Sequence, residues 1–157
     1  MTAHLITGKK TMISKIYTYK ESPVVANEMV LYRFLATMLT IRKFKAITLP
    51  KLQVYLWGLK SEDNKHKLMV WKRTCKISNA PWLIDDDTPQ ILAQCICNHY
   101  VRVEQNKSGK VSYALDYAAT QLLQEVGGSE IENYITSDLD EIGGITDKLL
   151  NNVVFDF

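Results

Sequence analysis

The residues best equipped for chemistry at neutral pH are three histidines (His4, His66 and His99) and three cysteines (Cys75, Cys95 and Cys97). The histidines are scattered, and none has a second ligand or base at a working spacing. Cys95 and Cys97 are two residues apart, which puts them on different sides of a helix and makes a poor chelate. No further Cys/His pair completes a zinc site. "DDD" at 85–87 has the charge to hold a divalent ion, but nuclease carboxylates converge from separate elements, so it reads as an acidic helix-capping loop. Neither a phosphate-binding loop nor a dinucleotide fingerprint is present, and "VGGSE" lacks the spacing. The expectation is a non-catalytic protein with no catalytic residues, no cofactor and no metal.

The charges are unevenly placed. Residues 1–77 hold 15 Lys/Arg against 4 Asp/Glu, a balance of +11, whereas residues 78–157 hold 4 against 13, a balance of −9. Two readings stand open: a polyanion or acidic partner for the first half and a basic partner for the second, or neutralisation of one half by the other within one fold. The 157 residues suit one domain, no apolar run reaches membrane-spanning length, and the first residues lack an apolar signal core. With an odd cysteine count, this predicts a cytoplasmic protein that does not enter a membrane.

The elements that must position any site follow from apolar spacing. Residues 1–20 read as an N-terminal arm, in which 13–20 alternates weakly and could pair as a strand with a later hairpin. The run 22–43 reads as a helix buried on most sides, with Arg42, Lys43 and Lys45 at its negative end. In 48–60, Leu49, Leu52, Leu56 and Leu59 form one stripe. Val54, Tyr55 and Trp57 lie off that stripe, and either thicken the core or face a partner. Residues 61–76 predict a basic helix with a narrow apolar side at Leu68, Trp71 or Lys72, and Cys75; 77–87 predicts a loop carrying Trp82; 89–100 predicts another helix.

"VRVEQNKSGKVSYAL" (101–115) then alternates, turns at a polar Gly-containing segment and alternates again, with Asp116 placed to cap a helix over 117–126. Helix, hairpin, helix is the second half of a winged-helix pattern. The fold class expected is mainly α with a small β-hairpin (α+β). It comprises a winged-helix-like domain over 21–127 and a C-terminal helical and apolar tail over 128–157, read as an appendage. Ser129 and Glu132 make a capping box there, and "VVFDF" ends the chain as an apolar peptide.

Two surfaces are candidates. Arg42, Lys43, Lys45, Lys65, Lys67, Lys72, Arg73, Lys76, Lys107 and Lys110 could contact nucleic-acid phosphates. Reversing Lys65, Lys67, Lys72 and Arg73 to Glu would then weaken DNA capture without disturbing the fold. Tyr55, Trp57, Trp82, Val153, Val154, Phe155 and Phe157 are candidates for partner binding. Sequence-specific reading of DNA is disfavoured, because the helix before the wing offers Gln90, Gln94 and Asn98 behind three aspartates.

Over roughly 20–126, "SPVVANEMVLYRFL", "TLPKLQVYLWGLKSEDNKHKLMVWKR" and "PWLIDDDTPQILAQCICNHYVRV" resemble the middle-component proteins of bacterial ABC three-component systems, including the small subunit of Lamassu-type defence systems. The resemblance implies an accessory subunit that bridges an SMC/Rad50-like ATPase and an effector nuclease in an anti-phage or anti-plasmid complex. Double-stranded DNA would be contacted mainly within that complex. No catalytic residue carries over. The alternative is a stand-alone winged-helix DNA-binding regulator.

Overall fold

A computed structural model of the chain describes residues 23–84 and 87–153. Helix α1 (Pro23–Phe44) is the axis of the fold. Leu35, Ala36, Met38, Leu39 and Ile41 are buried on several of its sides, as its near-continuous apolar run requires. Thr37 and Thr40 are buried with them, and each hydroxyl donates to the carbonyl four residues earlier, at Arg33 (2.8 Å) and Ala36 (2.6 Å). Lys45, in the left-handed region (φ 66°), turns the chain into strand β1 (Ala46–Ile47).

Helix α2 (Leu49–Gly58) starts with a proline in its first turn, where a missing N–H costs nothing. Helix α3 (Glu62–Thr74) is capped by Ser61, whose hydroxyl accepts from the Asn64 amide N–H at 3.1 Å. The Asn64 side chain in turn donates to the Trp57 carbonyl (2.9 Å), so one residue joins the end of α2 to the start of α3. The two helices approach closely because Gly58 has no side chain: a Cβ there would overlap the Leu68 methyl.

A short helix, α4 (Pro81–Ile84), lies within the stretch expected to be loop. Helix α5 (Thr88–Cys97) leads to the predicted hairpin, strands β2 (Val101–Gln105) and β3 (Val111–Leu115), and then to helix α6 (Tyr117–Glu125), where Asp116 accepts from the Tyr117 amide at 2.8 Å. The antiparallel sheet runs β1–β3–β2. The strand beside β3 is therefore Ala46–Ile47, whereas the arm 1–20, with its expected strand at 13–20, lies outside the described residues. The fold class is mainly α with a small antiparallel sheet.

The chain after 128 is not an appendage. Helix α7 (Glu130–Ile142) begins with the predicted capping box: Ser129 accepts from the Glu132 N–H (3.2 Å), and the Glu132 carboxylate accepts from the Gly128 N–H (3.2 Å). Its Ile131, Ile135, Leu139 and Ile142 share one face, and all are buried in the same core as α1, α2 and α3. Helix α8 (Asp147–Asn151) follows, and Val153 packs half-buried against that core. Replacing Leu139 by Ala is expected to cost about 2–5 kcal/mol, as for other core leucines. Urea unfolding followed by tryptophan fluorescence checks this, and an unshifted midpoint would mean that α7 is peripheral after all.

Candidate basic and docking surfaces

Among the described residues, more than half of the first-half cations pair with the acidic half of the same chain. Arg42 meets Glu132 at 2.9 Å, and Lys43 pairs with Asp140, which fastens the end of α1 along α7. Arg33 pairs with Asp87 at the start of α5, and Lys60 lies 3.8 Å from that same carboxylate. Asp147 takes Lys51 of α2 at 3.2 Å and Lys110 of the hairpin tip at 3.5 Å. Its carboxyl is held below the ordinary carboxylate range, first by the Lys51 hydrogen bond and then by the charges of Lys51 and Lys110. Of the two readings of the charge split, internal neutralisation is what the geometry displays.

Lys65 is the extreme case. It was expected on a solvated basic face, yet it lies on the inner side of α3 with Leu68 and Trp71, and only 7% of its surface is exposed. Its ammonium reaches Asp138 at 2.8 Å, Glu62 at 3.0 Å and Glu141 at 3.2 Å. Burial works to depress the Lys65 pKa, but the bonds to Asp138, Glu62 and Glu141 outweigh it and raise the pKa overall. Asp138, also buried, is pushed above the usual carboxylate range by desolvation, and the Lys65 bond recovers only part of that shift. Reversal of Lys65 to Glu would therefore attack the fold rather than a DNA contact.

Two more of the expected phosphate ligands are engaged. The Lys72 ammonium donates to the Ile142 carbonyl at the end of α7, and Lys67 pairs with Asp63 one turn away on α3 (3.0 Å). The exposed cations without an ion pair among the described residues, out of the ten candidates, are Lys45, Arg73, Lys76 and Lys107.

The aromatic candidates require a correction. Tyr55, Trp57 and Trp82 are 1%, 6% and 3% exposed, so none is a docking surface. Trp82 stacks at a tilt on Trp71 (centroids 4.8 Å apart) and edge-on to Trp57 (6.1 Å), which pins the α4 loop to α2 and α3. The Tyr55 hydroxyl donates to the Gly143 carbonyl at 2.7 Å, and burial pushes its pKa up to about 12. A helix that is apolar on every side gives no local sign of which side is covered. Here α2 is covered by α1, α3, α4 and α5. Of the other partner candidates Val153 is half-buried, while Val154, Phe155 and Phe157 lie outside the described residues.

Among the described residues the exposed large apolar side chains are instead Met69, Leu83, Val103, Val111 and Tyr117. Two of them belong to the hairpin. In the β2–β3 register Val101, Val103 and Gln105 stand opposite Leu115, Tyr113 and Val111, so these side chains share one face. That face is buried at its root, where Val101 is 1% exposed, and opens toward the tip, where Val103 is 52% and Val111 41% exposed. The hairpin thus overhangs the core with an apolar side. Its tip is self-contained: the Asn106 side chain accepts from the Ser108 N–H (3.0 Å), the Ser108 hydroxyl (2.7 Å) and the Lys110 N–H (2.8 Å), while Gly109 supplies the positive φ.

Among the described residues no group of three or more His, Cys, Asp or Glu could hold a metal ion, and no helix is long and apolar enough to cross a membrane. Cys95 sits in the core, where burial pushes its thiol up to about 12, far from a nucleophile's range. Gln90 and Gln94 on the exposed face of α5, and Asn98 just after the helix, are uncharged, as is the rest of that face.

Replacing Lys65 by Met leaves Asp138 buried without its cation and is expected to cost about 3–5 kcal/mol, whereas K65M/D138L, which removes both charges, should recover most of that loss. Urea titrations of the three proteins decide it; a double variant as unstable as the single one would sink the pairing. Because the folded-state pKa of Lys65 lies above 10.5, its contribution is complete below that pH and is lost as pH rises beyond it. The double variant should lack this alkaline loss.

No protein family, no curated protein and no solved structure matches this chain.

Proposed function

We propose that the chain is a non-catalytic assembly subunit that joins an SMC/Rad50-like ATPase to an effector nuclease in a bacterial defence complex. The observation that carries this is the overhanging wing, whose outer half offers Val103 and Val111 to solvent on a hairpin fixed at its tip. An apolar patch on a rigid projection suits a protein partner. The resemblance of residues 20–126 to middle components of ABC three-component systems names the partners. The sheet order β1–β3–β2 behind a helix, hairpin, helix succession supports the winged-helix reading of the domain. Co-expression with an SMC-like ATPase encoded beside it should give a complex that co-purifies through size exclusion, and V103D/V111D should weaken it. Separate elution of the wild-type proteins would end the proposal.

A second reading, backbone contact with duplex DNA, draws on the exposed and unpaired Lys45, Arg73, Lys76 and Lys107. Each phosphate contact adds about 0.9 to the slope of log affinity against log salt, so these four cations can contribute at most about 3.6 to it. R73E/K76E should reduce it by about half. A slope well above that limit, or one untouched by the double variant, would show that other groups bind the phosphates.

A further inference from the structure

Strand β2 lies at the edge of the sheet, and its outer side meets no other strand among the described residues. Which backbone groups face outward follows from the hairpin's hydrogen bonds. Asn106 donates to the Lys110 carbonyl (3.0 Å) and Asp116 to the Tyr100 carbonyl (2.9 Å), so the even-numbered residues 100 to 106 are the bonded partners of β3. Antiparallel ladders alternate, so the N–H and C=O groups of Val101, Val103 and Gln105 point away from β3.

The side chains of this strand are self-complementary. Val103 is its middle residue, flanked by Arg102 and Glu104 on the opposite face, whose side chains already pair at 3.0 Å within one copy. If two copies pair antiparallel about a two-fold axis at Val103, the outward groups of Val101 meet those of Gln105 in the other copy, and Val103 meets Val103. Arg102 then stands opposite Glu104 at both ends. Sliding the register two residues in either direction places Arg102 opposite Arg102 or Glu104 opposite Glu104, which is unfavourable. Charges on an edge strand ordinarily discourage pairing; here they permit one register and oppose its neighbours.

We infer that the wing is a homodimerisation edge, with β2 of a second copy as its occupant and Val103 on the two-fold axis. The pairing extends the sheet across both copies and sets the two Val103 side chains side by side, so that the apolar sides of the two hairpins become continuous. The interface is isologous, so each contact occurs twice. The inference is separate from the ATPase reading: it uses the backbone edge of β2 and needs only this chain, whereas that reading uses the apolar face of the hairpin.

Sedimentation velocity on the full chain, up to about 0.5 mM for a small and weak interface, tests it. Wild type should dimerise. R102E puts Glu opposite Glu, and E104R puts Arg opposite Arg, so each alone should weaken the dimer about tenfold or more. An equimolar mixture of the two variants restores opposite charges at both positions and should form a heterodimer of wild-type affinity. Arg102 also donates to the Leu115 carbonyl, so E104R, which retains Arg102, guards against a loss of hairpin structure in R102E. The Val103 amide should exchange more slowly as wild-type concentration rises. A wild type that stays monomeric, single variants that dimerise undiminished, or a mixture that fails to pair would each overturn the inference.

Discussion

Lys65 and Asp138 hold opposite charges inside the protein, and the rest of the structure is arranged around that requirement. A buried ammonium is tolerable only where carboxylates meet it with good geometry. This fixes the register of α7 along α3, since Asp138 must reach the inner face of α3 while Glu62 and Glu141 close over the same nitrogen. With that register set, Ile131, Ile135, Leu139 and Ile142 fall onto the core shared with α1 and α2. The end of α7 is held by two more polar contacts, Lys72 to the Ile142 carbonyl and Tyr55 to the Gly143 carbonyl. Desolvation of the two groups offsets much of their mutual attraction. What the pair adds is discrimination, because α7 packed one turn away would strand two buried charges, Lys65 and Asp138.

The same arrangement decides what the surface can do. A sequence that is +11 in one half and −9 in the other has the material for a strongly basic face, but a folded chain shows a partner only the charge it has not already used. Arg33, Arg42, Lys43, Lys51, Lys60 and Lys65 all reach carboxylates of the second half. Among the described residues few exposed cations are left without an ion pair. Surface ion pairs are individually weak and screened by salt. Those at Arg42 and Lys43 therefore orient α1 against α7 more than they hold it there.

Much of the fold was legible in the sequence because it is written locally. Asp116 and Ser129 cap the helices they precede, and the hairpin over 101–115 declared itself by period-two alternation around a Gly-containing turn. What escaped was non-local. Lys65 and Asp138 are 73 residues apart, and no spacing rule links them. Lys65 also occupies a core position that a hydropathy pattern assigns to solvent, which turned an inner stripe of α3 into an apparent basic face. Tyr55 and Trp57 failed for the converse reason: α2 is apolar all round, so the pattern says that it is buried but not by what. Of the candidate site, the four cations at 45, 73, 76 and 107 are exposed, and the apolar face of the hairpin was missed because half of it is core.

That division of the hairpin between core and solvent bears on its use. A loose hairpin would lose conformational freedom on meeting any partner, and that loss would subtract from affinity. Here the freedom is already gone. Asn106 closes the tip with its own side chain, Asp147 holds Lys110, and Arg102 crosses from β2 to the Leu115 carbonyl of β3. The root of the apolar face is locked into the core by Val101, so Val103 and Val111 project from a fixed base. The hairpin is therefore preorganised, which suits a docking edge that must meet one partner in one register better than a probe for variable DNA backbone.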